Sequence, residues 1–294
     1  MQSILEVLEE RVLLLDGGMG SLLIAEGLPP GTPPDSWNAT KPTVIQRIHK
    51  EYFLAGADAV LSNTFGASRL KLAAHGFADK VEEFNRKAIG NARAACPKGR
   101  FIAGDIGPSG KFLPPVGSAT IKDFEENYLE QAEILADCGV DFFFIETMVD
   151  LKEAEAATKA VKKVSDVPVF TSITFQKTKR GFFTIMGNTV EECVSTLTNA
   201  GADVLGANCT IGSDEMIDLV PIMRKLTDKP LVFKPNAGRP QLVGTETIYP
   251  TGPQAFATDI IQIVSLGGQI IGGCCGTNPT YIKHIADRLK EQNK

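Results

Sequence analysis

No apolar run in this 294-residue chain approaches the ~20 residues that a membrane-spanning helix needs, which argues against a membrane partner. Basic charge is also short: 30 Lys and Arg face 35 Asp and Glu, for a net charge of −5. A nucleic-acid binder carries a basic excess or a basic stripe, and neither is present. Six cysteines are too sparse for a disulfide scaffold. The opening Met1-Gln2-Ser3-Ile4-Leu5-Glu6 lacks both the basic and the apolar region of a secretory signal. No Pro- or Ser-rich linker divides the chain, and Pro29-Pro30-Gly31-Thr32-Pro33-Pro34 reads as a loop inside a crossover. With 43% hydrophobic and 22% charged residues, the remaining class is a cytoplasmic globular enzyme.

One pattern is repeated eight times: a short apolar run, a polar or glycine residue, then a segment of helical periodicity. The runs are Val12–Leu15, Ala59–Ser62, Phe101–Ala103, Phe142–Ile145, Val167–Ile173, Val204–Gly206, Leu231–Phe233 and Gln269–Ile271. Short, continuously apolar runs suit parallel strands buried on both faces. The intervening segments have helix punctuation. Gly56, Gly139, Gly201 and Gly267 follow helix ends, and Asn278-Pro279 opens the last helix. Thr189-Val190-Glu191-Glu192 has the ingredients of a capping box short of its full spacing. Strand–helix alternation in this length predicts an α/β fold, a single-domain (β/α)8 TIM barrel over 1–294, with a short extra helix in residues 1–11. The alternative, an open doubly wound sheet, usually has G-x-G-x-x-G at its first turn. Asp16-Gly17-Gly18-Met19-Gly20 lacks that fingerprint.

A barrel of this kind works at the C-terminal ends of its strands. Asp16-Gly17-Gly18, Asn63-Thr64, Asp105, Glu146-Thr147, Thr174, Asn208-Cys209, Asn236 and Cys274-Cys275 occupy those ends. Cys209 ends the sixth run, and Cys274 and Cys275 end the eighth, so three thiols share one mouth. Adjacent residues of an ideal strand point to opposite faces. The glycines of Gly272-Gly273-Cys274-Cys275-Gly276 relax that rule. Three thiolates in a reducing compartment point to a soft metal, zinc by default, with one position open for catalysis. A Cys274–Cys275 disulfide would be strained. Cys96, Cys138 and Cys193 fall on helical segments and read as packing residues. His49, His75 and His284 read as helical and distant from strand ends, so no separate general base is expected. An anionic three-thiolate site suits a thiol substrate, held as a zinc-bound thiolate for alkylation, better than it suits water attack.

These residues resemble the zinc-dependent homocysteine S-methyltransferases. The resemblance runs nearly end to end, through Asp16-Gly17-Gly18-Met19-Gly20, Asn63-Thr64-Phe65-Gly66-Ala67, Gly107-Pro108-Ser109-Gly110, Glu146-Thr147-Met148, Gly206-Ala207-Asn208-Cys209, Pro235-Asn236-Ala237-Gly238 and Gly272-Gly273-Cys274-Cys275-Gly276-Thr277. Within the family the chain is most similar to the homocysteine-binding module of cobalamin-dependent methionine synthase. The resemblance implies Cys209, Cys274 and Cys275 as zinc ligands, and Glu146 with the Asp16 turn as receivers of the substrate ammonium. It also implies the N–H groups of Gly17, Gly18 and Met19 as receivers of the carboxylate, with Thr64 within reach of substrate. Asn208 and Asn236 are expected to orient the site rather than react. Structural alternatives are a helix N-cap for Asp16, a salt bridge for Glu146 and a turn cap for Thr64.

No Asp-x-His-x-x-Gly corrinoid motif and no second, folate-type barrel accompany these motifs. The donor is therefore expected to be a methyl-corrinoid on a separate protein, docking on a rim formed by Lys111–Ala119 and Arg239–Gly252. A cationic donor would favour an aromatic cage, and neither Trp37 nor the four tyrosines cluster after a strand end in the sequence. Competing readings are a methyltransferase with another thiol or donor, such as S-methylmethionine or betaine, and a zinc-storage or redox-sensor protein.

Overall fold

Each of the eight apolar runs becomes a strand of one parallel sheet in the computed structural model, which describes residues 2–244 and 246–292. The strands are β1 (Leu13–Leu14), β2 (Ala59–Leu61), β3 (Phe101–Ile106), β4 (Phe142–Met148), β5 (Val169–Ile173), β6 (Val204–Gly212), β7 (Leu231–Asn236) and β8 (Ile270–Ile271). Hydrogen bonding runs β1–β8–β7–β6–β5–β4–β3–β2. The ends of this order meet through a Leu15–Ala59 bridge and a 2.6 Å bond from Asp58 N to Leu14 O. The sheet is therefore a (β/α)8 barrel, not an open doubly wound sheet. Two carboxylates staple the β1–β2 seam where strand pairing is thin. Asp58 Oδ2 accepts from Leu14 N at 3.0 Å, and Asp16 Oδ2 accepts from Leu61 N at 2.8 Å.

Strand periodicity determines what faces the barrel axis. Leu13, Leu15, Ala59, Leu61, Phe101, Ala103, Phe142, Phe144, Phe170, Val204, Val232 and Ile270 form one buried cluster. The extra helix α1 (Ile4–Glu10) adds Ile4 and Leu8 to it and closes the barrel floor. Two residues further along β3, β4, β5 and β7 the inward positions turn polar, at Asp105, Glu146, Ser172 and Lys234; on β6 Gly206 intervenes and Asn208 follows two residues later. The functional layer is the continuation of the core layer by one period.

Several boundaries differ from the sequence expectation. β3, β4, β6 and β7 run past their apolar runs, because parallel backbone pairing continues after the side chains become polar. Thr189 and Glu192 form a complete capping box, each side chain accepting from the other's backbone N–H. Arg239–Gly252 is not plain loop: Gln241–Val243 pairs antiparallel with Glu246–Ile248. A further hairpin, Gln176–Thr178 with Gly181–Phe183, follows β5.

Candidate metal and substrate site

A cleft of about 490 Å³ opens at the C-terminal ends of the strands. Asp16, Gly17, Gly18, Met19, Asp105, Glu146, Cys209, Lys234, Cys274 and Cys275 line it. The sulfurs of Cys209, Cys274 and Cys275 all lie within 4.8 Å of one another, with Cys209 and Cys275 4.0 Å apart. Tetrahedral zinc with ~2.3 Å Zn–S bonds spaces its sulfurs by ~3.8 Å, so the donor set and its spacing suit that ion.

Local backbone bends bring these thiols together. Between Asn208 and Gly212 the β6–β7 register shifts, and Cys209 and Thr210 take φ of 58° and 66°. A left-handed conformation costs a non-glycine residue on the order of 1–3 kcal/mol, and here it re-aims the Cys209 side chain. Cys274 and Cys275 sit beyond the end of β8, in a turn closed by Thr277 N donating to Cys274 O at 3.1 Å. Strand alternation therefore does not apply to them. The turn is pinned to β7 by Cys274 N to Pro235 O at 2.8 Å and by Ala237 N to Cys275 O at 3.0 Å. Gly18 is required by close approach, since a Cβ there would stand 2.8 Å from Cys274 O. Hydrogen bonding from Cys209 and Cys274 pulls Cys275 down to about 3, whereas Cys209 and Cys275, with burial, push Cys274 up. The cluster thus already favours a thiolate.

Beside the thiols lies a buried charge cluster. Lys234 Nζ is 3.3 Å from Glu146 Oε2 and 3.6 Å from Asp16 Oδ1, and its own side chain is 3% exposed. It also stands 5.2 Å from the centre of the Phe144 ring. Burial works against the Lys234 charge, but Glu146 and Asp16 outweigh it and hold the ammonium protonated. Burial pushes Asp16 up to about 6. It pushes Asp105 well above the ordinary carboxylate range, with Glu146 adding to the effect. Asn208 ties the cluster to the thiols. Its Nδ2 donates to Thr147 Oγ1 at 2.7 Å and to Glu146 Oε2 at 3.3 Å, and lies 3.9 Å from Cys274 Sγ. Its Oδ1 accepts from Thr147 N at 2.8 Å.

The match extends beyond the individual motifs. A family model described as homocysteine S-methyltransferase covers residues 13–289. The chain belongs to the homocysteine S-methyltransferase family. A methionine synthase of Mycobacterium tuberculosis is 31% identical over 96% of the chain, and one of Mycobacterium leprae is 30% identical over 99%. In each case the aligned part is 25% of the relative, so the chain spans about a quarter of the length of these proteins. The metallated homocysteine methyltransferase MmuM from Escherichia coli shares the fold, with a TM-score of 0.81, 24% identity and coverage of 96% of this chain and 98% of that one.

In this homocysteine S-methyltransferase barrel most of the residues expected at the site do converge. Asn208 stands behind the lining and donates to Glu146 and Thr147. Asp16 is a seam staple rather than a helix cap; α2 (Met19–Ala25) has Gly18 as its N-cap and no side-chain cap. Glu146 does form the salt bridge considered for it, and still lines the cleft. Gly18 N is occupied by Thr277 Oγ1 at 3.1 Å. Thr64 is placed differently: it is fully buried, its hydroxyl donates to Asp105 O at 2.7 Å, and it does not line the cleft. Asn236 is buried off the cleft, with no hydrogen-bond partner for its Oδ1 among the described residues. His75 departs from the expectation, lying in a turn at the cleft edge rather than on a helix. His49 is fully buried, and burial lowers it to about 4. Tyr249 also departs: its ring lies close against Gly276, so one tyrosine does stand beside the cysteine turn. Cys193 is buried as expected, while Cys96 and Cys138 are half-buried at helix ends. Lys234 is the residue the sequence reading missed. Its signal was the strand period, Val232 inward and therefore Lys234 inward.

Proposed function

We propose that this barrel binds homocysteine and presents its sulfur for methylation to methionine, with a methyl-corrinoid carried outside the barrel as donor. The observation that carries the reading is the sharing of one cleft by three clustered thiols and two buried carboxylates, Asp16 and Glu146. Zinc held by Cys209, Cys274 and Cys275 would keep the substrate thiol deprotonated at neutral pH yet nucleophilic. Asp16 and Glu146 receive the ammonium through charge-assisted bonds. The uncapped first turn after Gly17 and Gly18, beginning at Met19, offers N–H groups to the carboxylate. Lys234 keeps the two carboxylates from repelling each other before substrate arrives. Asn208 fixes Glu146 relative to Cys274. Zinc storage or redox sensing would need none of these carboxylates.

The donor reading rests on the rim. Val116, Ile185, Met186 and Leu242 are exposed apolar residues on segments that follow β3, β5 and β7. Apolar side chains around a mouth favour a docking protein over a small hydrophilic donor. The test is a methionine-formation assay with zinc-loaded protein, homocysteine and a donor panel. Turnover is expected with methylcobalamin or a methyl-corrinoid protein, and little with glycine betaine or S-methylmethionine. Rates from either of the latter that match the corrinoid donor would overturn the donor assignment.

A further inference from the structure

Asp105 belongs to the buried charge cluster, yet the proposed binding of homocysteine gives it no role. It lies on β3, inward-facing in the series Phe101, Ala103, Asp105, and it lines the cleft. Its backbone is fixed from both sides: its N donates to Ser62 Oγ at 3.1 Å, and its O accepts from Thr64 Oγ1. Its side chain is the opposite case. Asp105 is 5% exposed, and its Oδ1 is buried with no hydrogen-bond partner among the described residues. A buried carboxylate oxygen without a donor costs free energy unless a ligand supplies one.

The neighbouring charges show what kind of donor is missing. Asp105 feels Glu146, Asp16 and Asp35 as like charges and Lys234 as the opposing one. Lys234 forms its ion pairs with Glu146 and Asp16 instead. Asp16 Oδ1 likewise has no hydrogen bond and lines the same cleft. Three carboxyl groups therefore face one buried cation, and a second cation would let Asp105, which burial and Glu146 hold toward its neutral form, ionise. A primary ammonium carries three N–H donors and one positive charge. Glu146, Asp16 Oδ1 and Asp105 Oδ1 offer three acceptors.

We propose that Asp105 is the third acceptor of the substrate ammonium, and that the three carboxylates together select an amino acid with an unmodified primary α-amino group. This rests on the reading of the cleft as an amino-thiol site. Asp105 acts by direct contact with substrate. It also explains why Lys234 is not redundant: without it, three carboxylates and one ammonium would leave two uncompensated charges in a buried site.

The test measures dissociation constants by calorimetry on zinc-loaded protein, for homocysteine and for 4-mercaptobutyrate, which has the same thiol and carboxylate without the amino group. Asp105→Asn, close in shape, should weaken homocysteine by roughly 10- to 100-fold and leave 4-mercaptobutyrate within about twofold. Equal losses on both ligands, or no loss on homocysteine, would overturn the assignment. A measurement on the unaltered protein keeps the test independent of the variant's folding. N,N-dimethylhomocysteine keeps the charge but only one N–H, and should bind at least about tenfold more weakly than homocysteine. Equal binding of the two would refute the three-acceptor count. Unaltered, zinc-loaded protein that binds neither homocysteine nor 4-mercaptobutyrate would instead remove the amino-thiol reading.

Discussion

Single residues here carry unequal weight. Cys209 reaches the cleft only because two consecutive residues hold a left-handed backbone, whereas Cys193 is an ordinary buried side chain of the helix Val190–Ala200. Replacing Cys209, Cys274 or Cys275 by Ala removes one of three anchoring sulfurs. Each variant should lose most zinc after gel filtration, while Cys193→Ala keeps it. Metal analysis showing full occupancy in all three site variants would refute the ligand assignment. The thiols were legible in the sequence because Gly-Gly-Cys-Cys-Gly makes poor packing material, so its cysteines needed a chemical explanation. Lys234 is not legible on the same terms, because its apolar run stops at Phe233. A charged residue one strand period above Val232 belongs to the barrel interior, and only the closed sheet makes that burial evident. Thr64 errs the other way: a hydroxyl at a strand end resembles a substrate contact until the Asp105 carbonyl is found bonded to it.

At the scale of elements, the site is a meeting of two turns, Asp16–Met19 after β1 and Gly272–Thr277 after β8. Their separation leaves no room for a methyl group at Gly18, whereas a Cβ at Gly20 meets nothing within 4 Å. Gly18→Ala should push the cysteine turn away from β1 and lower zinc retention. Gly20→Ala, in the first turn of α2, should leave zinc unchanged and raise stability by about 0.4–1 kcal/mol. Thermal unfolding and metal content of the two variants check this, and equal behaviour would mean that the turns do not constrain each other. Helices and strands were readable because several runs are continuously apolar and many helix ends carry a glycine. The two hairpins beyond β5 and β7 were not. Their short strands are exposed or only partly buried, as at Gln176–Thr178, so no apolar alternation announces them.

For the molecule as a whole, the weakest join in the barrel passes through the site. Only one strand bridge ties β1 to β2, and the Asp16 carboxylate supplies a further bond across it through Oδ2. The other oxygen of the same group, Oδ1, faces the cleft cluster. An ammonium arriving at Oδ1 favours the ionised carboxylate, and an ionised acceptor binds the Leu61 N–H more strongly. Homocysteine should therefore slow hydrogen exchange at the Leu61 amide of zinc-loaded protein, while 4-mercaptobutyrate at equal saturation should slow it less. Identical protection by both ligands would separate the seam from the ligand. By reciprocity, the factor by which homocysteine favours the closed seam is the factor by which the closed seam favours homocysteine. The carboxylate works as a latch: one of its oxygens already holds the seam closed through Leu61 N, and a cation seated on the other would turn the lock a little further.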